Sequence, residues 1–279
     1  MSVAEALVAE PIAPPAVSPP PAPLSLKDAL AAVSIRSMAD VHRAAEALRD
    51  QALALTGLHV VCTDNIASKQ PMVDADGSVL AAEVFGWTGE NERWWLDTKI
   101  ALSSPLPRAC RYECEPFWAN AQGFRTRQPN PYLDEMNLDA FEKRALTKAA
   151  IVVPVHLPFG QIGAVCFLSR DPERTDLSAD HDAHADMLMM LSHRFISGYV
   201  KAHRTRRWLP GDCQLTKREV ECLRWASIGK TDKEISLILS RSHATVRFHI
   251  QNAGEKLNAV NRSQTIFKAA QLGYLGAAA

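Results

Sequence analysis

The sequence has no apolar run approaching the ~18 residues that a membrane-spanning helix needs, so membrane insertion is excluded as an expectation. Its start lacks the basic stretch and apolar core of a secretion signal. Six cysteines, Cys62, Cys110, Cys114, Cys166, Cys213 and Cys222, are scattered rather than grouped. Together these absences point to a cytosolic chain with reduced thiols. Cys110 and Cys114 invite a metal reading, but no paired Cys or His motif stands nearby at ligand spacing, so neither metal nor cofactor is expected.

An excess of one charge is also missing, with 31 basic against 31 acidic residues, yet the balance hides an asymmetry. From Lys201 onward, fourteen Lys and Arg face six Asp and Glu, so this end carries +8 and residues 1–200 carry −8. A basic end on an acidic body suits a nucleic-acid binder joined to a sensory unit. The 279 residues suit two domains rather than one. Residues 1–25 hold seven of the seventeen prolines without helical or strand period, and are expected to form a disordered arm.

The most informative stretch is Leu215 to Leu275, where start and stop signals mark four short helices. Thr216 followed by Glu219 is a capping box, and Gly229 is the expected left-handed stop, giving a first helix over about 217–228. Thr231 and Glu234 repeat the box before a short second helix carrying Ile235, Ile238 and Leu239. A tight turn, Ser240 to Ser242, precedes a third helix over about 243–257. At ~100° per residue Val246, Ile250, Ala253 and Leu257 share one stripe, which turns Ala244, Arg247, Phe248, Gln251, Asn252 and Glu255 outward. Such a pair is a helix-turn-helix whose second helix can enter a major groove. Arg suits guanine, Gln suits adenine and Phe meets a thymine methyl. Arg247 and Gln251 are therefore expected to read bases, beside Phe248, while Thr245, Asn252 and Lys256 position the helix on phosphates.

This stretch closely resembles the DNA-binding domain of LuxR-type (LuxR/NarL/FixJ) transcription regulators. The resemblance rests on Leu215-Thr216-x-x-Glu219, Gly229-Lys230-Thr231, Glu234-Ile235, Thr245-Val246 and Lys256-Leu257. It implies a double-stranded DNA partner, with Lys230 and Thr231 joining the contact residues, and a homodimer that meets through the N-terminal domain and the last helix, Ser263 to Leu272. Ile266, Ala269, Ala270 and Leu272 are expected to supply that C-terminal contact. His243 departs from the Glu or small polar residue usual at its position.

Upstream, Leu26 to Thr56 has helical spacing and ends at Gly57. A strand over Leu58–Cys62, a turn at Asp74–Gly77 and a second strand near Val79–Phe85 follow. A helix carrying Trp94 and Trp95 gives way at Ser103-Ser104-Pro105, and residues 105–130 hold the aromatic cluster Tyr112, Phe117 and Trp118. An amphipathic helix over about 132–148, a hairpin of Ile151–His156 with Ile162–Leu168, and a long helix over Ser178–Arg204 complete the order. The expected fold class is α+β: an α/β/α sandwich sensor domain at 26–204, a linker at 205–212 and an all-α four-helix helix-turn-helix domain at 213–279.

The region from about Trp94 to Leu168 resembles the autoinducer-binding domain of quorum-sensing LuxR-type receptors, through the helix before a Pro, the aromatic segment ending at Trp118, and Ala149-Ala150-Ile151-x-x-Pro154 before a hairpin. The resemblance implies a small-molecule ligand like an acyl-homoserine lactone. In that family an Asp before the Pro accepts the ligand amide N–H and an aromatic nine residues earlier assists the acyl carbonyl; here those positions are Ser104 and Trp95. Trp118 stands where a family Trp donates to the lactone carbonyl, and Ala150 replaces a Gly. Trp94, Trp95, Ser104, Tyr112, Phe117 and Trp118 are thus the candidate ligand residues, with a hydroxyl where a stronger, charged acceptor is usual.

Other readings compete. A ligand-independent regulator governed by a protein partner would use the same aromatics as core. A phosphorylated receiver would need clustered acidic residues after early strands and a later Lys, and no such arrangement is found. An enzyme with Cys110 or Cys114 as nucleophile and His156 as base has no local motif and leaves the basic tail unexplained, so no enzymatic activity is expected.

Overall fold

The structure is a computed structural model that describes residues 22–68, 70–88, 103–203 and 213–276. The expectations for the first 21 residues, for the helix that holds Trp94 and Trp95, and for the linker lie outside the described residues. Elements are numbered below over the described residues alone.

Leu26–Ala32 forms α1 and Val41–Thr56 forms α2. The helical spacing of 26–56 predicts one continuous run, but the chain turns between the two because local side chains outcompete the helix. Ser34 Oγ donates to the Leu30 carbonyl (2.6 Å), and the Asp40 carboxylate accepts the N–H groups of Arg36 and Ser37 (both 3.0 Å). Gly57 ends α2 at φ +67°, donating its N–H to the Leu53 carbonyl, as its lack of a side chain permits.

His59–Thr63 follows as β1. The expected strand at Val79–Phe85 is instead a helical turn, α3, at Leu80–Glu83. Short apolar runs fit both periods, and here the preceding turn decides. Asp74 accepts the N–H groups of Asp76 (3.0 Å) and Ser78 (2.9 Å), leaving one isolated bridge, Val73 with Val79, before the backbone coils.

Pro105–Ala109 (α4), Phe117–Asn120 (β2) and Gly123–Arg125 (β3) come next. The helix expected over 132–148 is broken into two short pieces, Pro131–Asp134 (α5) and Phe141–Ala145 (α6). Between them Asn137 closes a side-chain turn onto the Asp139 N–H (2.7 Å), and Ala140 and Leu146 bound α6 at φ +50° and +55°. The charge spacing that suggested one helix cannot register such turns.

Ala149–His156 (β4) and Ile162–Leu168 (β5) form the expected hairpin. The five strands make one antiparallel sheet in the order β1-β5-β4-β2-β3, with Val165 paired to both Cys62 and Val153. β2 pairs with β4 only over Ala149–Val152, so Pro154, which has no N–H to give, lies beyond that pairing. Ser178–His203 (α7) then crosses β4, β5 and β2 and packs on α2, burying Leu188, Leu191, Phe195 and Val200.

Lys217–Ser227 (α8), Asp232–Ile238 (α9), His243–Lys256 (α10) and Arg262–Gln271 (α11) form the C-terminal domain. Its core of Cys222, Leu223, Ala226, Ile235, Val246, Ile250, Ala253, Leu257 and Ala269 is separate from that of the sheet domain. A sheet-and-helix domain followed by an all-α domain is the expected fold class. No described helix is long and apolar enough to cross a membrane.

Two glycines let α7 approach its neighbours closely. A Cβ at Gly163 would stand 2.7 Å from Ile196 Cγ2 and 3.0 Å from the Thr63 carbonyl oxygen, and one at Gly198 would stand 3.1 Å from Ile35 Cβ. Gly163→Ala should therefore destabilise the chain by about 1–3 kcal/mol, the usual cost of overpacking. A thermal melt unchanged by this substitution would show that α7 can move away from β5.

Candidate nucleic-acid interface and ligand pocket

The C-terminal domain is built by caps. Thr216 Oγ1 accepts the Glu219 N–H (3.3 Å) while Glu219 Oε2 accepts the Thr216 N–H (2.7 Å), and Thr231 with Glu234 repeats the exchange at the start of α9. Gly229 at φ +91° ends the α8 segment. Ser240 at φ +51° turns the chain between α9 and α10, and Ser242 Oγ caps α10 by accepting the Thr245 N–H (3.0 Å). With Val246, Ile250, Ala253 and Leu257 buried, α10 leaves Ala244, Arg247, Phe248, Gln251 and Glu255 exposed. Phe248 is 58 % exposed, an uncompensated apolar surface unless something covers it.

Three cations tie the helices of this domain to one another. Lys256 Nζ donates to both oxygens of the buried Glu219 carboxylate (2.9 Å each), joining the last turn of α10 to the first turn of α8. Burial pushes the Glu219 carboxyl up, but the Lys256 ammonium and the Thr216 N–H and hydroxyl more than offset it, leaving its pKa below the ordinary glutamate value. Lys268, itself buried on α11, donates to the carbonyls of Leu257 (3.2 Å) and Asn258 (2.7 Å) and so satisfies the C-terminal end of α10. Arg262, at the start of α11, pairs with Asp232 and donates to the Lys230 carbonyl (2.8 Å), tying α11 to the head of α9.

Lys256, expected on a phosphate, holds the Glu219 carboxylate inside the domain while its side chain stays 38 % exposed. The N-terminal carboxylate box and the C-terminal Lys are each visible in the sequence, but not their meeting. Lys230 is loosely paired with Glu234 (3.4 Å) at the surface, and Thr231 serves as the α9 cap. Thr245 is half-buried with its Oγ1 2.8 Å from Ser242 Oγ, and Asn252, two turns further along the helix, is also half-buried. Sequence reasoning missed Arg218 and Arg241, which with Thr245 and His249 line a cleft of about 300 Å³ along the flank of α10. The outward side of α11 also differs from expectation. Ala269 is fully buried and Ile266 and Leu272 pack on the core, whereas Ala270 and Phe267 (54 % exposed) face out.

In the sheet domain Ser104 sits buried at the head of α4 and its hydroxyl makes no capping bond. The segment is pinned by Arg144, whose Nε (3.0 Å) and Nη2 (2.7 Å) donate to the Ser103 carbonyl. Trp118 is buried on β2, with the Arg125 guanidinium 6.0 Å from its ring centroid. Phe117 is fully buried and packs edge-on to Phe124 (5.8 Å). As neighbours on a strand Phe117 and Trp118 point to opposite faces of the sheet, so one pocket cannot use both. Tyr112 is 51 % exposed and stacks on Tyr132 (5.5 Å), and is not brought together with Trp118. Trp94 and Trp95 lie outside the described residues. Ala150 is fully buried between Ala119 and Leu168 on the neighbouring strands.

Cys110 and Cys166 are not set up as nucleophiles. Burial pushes the Cys110 thiol well above its ordinary value and the Cys166 thiol up to about 12, so neither supplies a thiolate near neutral pH. Cys114 is exposed and borders a groove with His156, whose Nε2 lies 3.2 Å from the Glu113 carbonyl oxygen. Among the described residues no three His, Cys, Asp or Glu side chains gather as a metal site.

Comparison with known proteins adds two family matches. Residues 213–269 match the bacterial regulatory proteins of the luxR family, and residues 93–197 match the autoinducer binding domain. The transcriptional activator protein VanR of Vibrio anguillarum is 35 % identical over 46 % of this chain and 52 % of its own length. The quorum sensing-dependent transcriptional regulator RpaR of Rhodopseudomonas palustris is 29 % identical over 68 % of this chain and 73 % of its own. The transcriptional activator protein LuxR of Aliivibrio fischeri is 35 % identical over 50 % of this chain and 60 % of its own. The chain thus spans about half to three quarters of the curated relatives it matches.

Because the Glu219 pKa is depressed in the folded chain, the stability it adds is full above the ordinary glutamate range and is lost as the pH falls through the lowered value. Lys256→Met should cost about 1–3 kcal/mol at neutral pH, toward the lower end because the Lys256 side chain is 38 % exposed. It should also move acid unfolding to higher pH. An acid midpoint equal to that of the unaltered chain would remove Glu219 and Lys256 as the anchor of α10.

Proposed function

We propose that the chain is a dimeric, DNA-binding transcription regulator of the LuxR type controlled by a small molecule in the sheet domain, a reading supported by the match of residues 93–197 to an autoinducer binding domain and of residues 213–269 to the luxR-family regulatory proteins. The observation that carries the reading is α10, held on its inner side by buried apolar residues and Lys256 while Arg247, Phe248 and Gln251 stand open on the other. The printed names of the relatives, a quorum sensing-dependent regulator among them, support it. No catalytic role is proposed, since Cys110 is buried and its thiol held protonated.

In this reading α10 enters the major groove, Arg247 and Gln251 take base edges, and Phe248 meets a thymine methyl. Lys230, Thr231, Thr245 and Asn252 face the flanking phosphates, and Arg241, in the cleft beside Thr245, takes the place in which Lys256 was expected. Arg247→Ala should weaken specific binding by about 1–3 kcal/mol and relax preference at one base pair, whereas Arg241→Ala should weaken all sequences alike and flatten the salt slope by roughly one. Selection of bound sequences by the Arg247→Ala protein tests this directly. An unchanged motif with unchanged affinity would overturn the docking.

The ligand is proposed to place its polar head between Ser104 and Trp118. A hydroxyl at 104 accepts a weaker bond than a carboxylate, so a common acyl-homoserine lactone should bind poorly, and Ser104→Asp should improve its affinity by about 1–2 kcal/mol. Calorimetry with a lactone series checks this. Tight lactone binding that survives Ser104→Ala would sink the role of Ser104. The neutral residue at this position also favours a second reading, a ligand-independent regulator governed by a protein partner, for which neither protein would respond to any lactone.

A further inference from the structure

Three cations of the sheet domain that nothing in the chain answers border one cleft. Elsewhere in that domain Arg49, Arg127 and Arg174 each meet a carboxylate, and Arg144 and Arg170 donate to backbone carbonyls. Lys27, Arg36 and Arg194 are exposed, and among the described residues no hydrogen bond or ion pair engages their side chains. With Arg43 they line a cleft of about 500 Å³ where α1, the turn after it, α2 and α7 meet.

The wall of this cleft is fixed by the bonds that interrupt the helix at 33–37. Asp40, the one carboxylate in the lining, accepts the N–H groups of Arg36 and Ser37 (both 3.0 Å) and so sets the turn that carries Arg36. Arg43 donates from Nη1 to the Ala32 carbonyl (2.9 Å) and from Nη2 to the Ser34 carbonyl (3.4 Å), while Ser34 Oγ holds the Leu30 carbonyl (2.6 Å). Four cations thus stand against one carboxylate that is already engaged, in a half of the chain that carries −8 overall. A local reversal of sign draws a small anion, and the acidic surroundings repel an extended polyanion such as DNA.

The chemistry of the lining narrows the anion further. Guanidinium forks match phosphate oxygens in pairs, and three of the four cations are arginines. Through Leu30 and Arg194 the cleft continues into a groove of about 420 Å³ that is also lined by Pro154, Met189, Met190 and His193. Each space is of the size common for small-molecule sites, about 300–1,000 Å³. The two thioethers offer the polarisable contact that suits an aromatic ring. A ligand that fits both parts carries several phosphate charges at one end and a flat organic body at the other.

We propose that this cleft binds a nucleoside polyphosphate, with its phosphates among Lys27, Arg36, Arg43 and Arg194 and its base over Met189 and Met190. None of these residues belongs to the candidate lactone or DNA contacts, so the site brings a second small molecule to the chain.

Titration calorimetry of the full chain without DNA tests this, with ATP, GTP, AMP, inorganic triphosphate and citrate as probes. ATP or GTP should bind at micromolar concentration, and AMP at least roughly tenfold more weakly because it brings fewer phosphate charges. Inorganic triphosphate should compete with the nucleotide, and citrate, an anion without phosphate geometry, should not. Arg36→Glu and Arg194→Glu should each weaken the nucleotide at least roughly tenfold, whereas Lys143→Glu, the same change of charge on the exposed side of α6, should leave its affinity as it was. Melting temperatures without ligand establish that folding is intact, and Arg36→Gln and Arg194→Gln replace any variant that melts early. An azido-ATP photolabel should mark the peptide that holds Met189 and Met190. Absence of nucleotide binding below millimolar concentration, AMP as tight as ATP, citrate competing as well as triphosphate, unchanged affinity in both arginine variants, or label confined to the C-terminal domain would overturn the proposal.

Discussion

Glu219 lies inside the C-terminal domain with its carboxylate shielded from water, and a buried charge of this kind must be met by donors. It accepts the Thr216 N–H that begins α8 and hydrogen bonds from the Lys256 ammonium in the last turn of α10. One group therefore caps the start of the first helix and grips the last turn of the third. Arg262 and Lys268 extend the same device, each answering polar groups left over at the end of another helix. The apolar core supplies the bulk of the driving force, while these three cations decide which packing it takes.

Much of this domain is legible in the sequence because its signals are local. A capping box spans four residues, a left-handed stop is one glycine, and the stripe of Val246, Ile250, Ala253 and Leu257 needs only the helical period. Lys256 shows where that reasoning ends. Its position on the helix places it on the rim, and only the tertiary contact with Glu219, thirty-seven positions away, reveals that its charge is already engaged. In the sheet domain the hairpin and α7 are legible for the same local reasons. The breaks at 33–37 and 137–140 are not, because they arise from serine, asparagine and aspartate side chains competing with a helix that the apolar spacing alone would allow. The strand expected near Val79 fails differently, since four buried apolar residues satisfy either period until the Asp74 turn chooses.

The candidate ligand residues sort by the same test. Ser104 and Trp118 are both buried, one at the head of a helix and one on an inner strand. Phe117 and Tyr112 were attractive as members of an aromatic cluster, but adjacency on a strand sends Phe117 to the opposite face from Trp118, and Tyr112 is spent on Tyr132 at the surface. Clustering in sequence and convergence in space are separate properties, and the pleat of β2 separates them.

Arg262 binds the first turn of α11 to the head of α9, and Lys268 binds its middle to the tail of α10. Linked in this way, α9, α10 and α11 are expected to turn together. In the proposed docking, α10 would therefore move with the rest of its domain. Two such domains on one duplex would be sensitive to the number of base pairs between their half-sites, and a mismatch of even one, a rotation of about 34–36° around the DNA axis, would have to be taken up outside the domain or in the DNA itself.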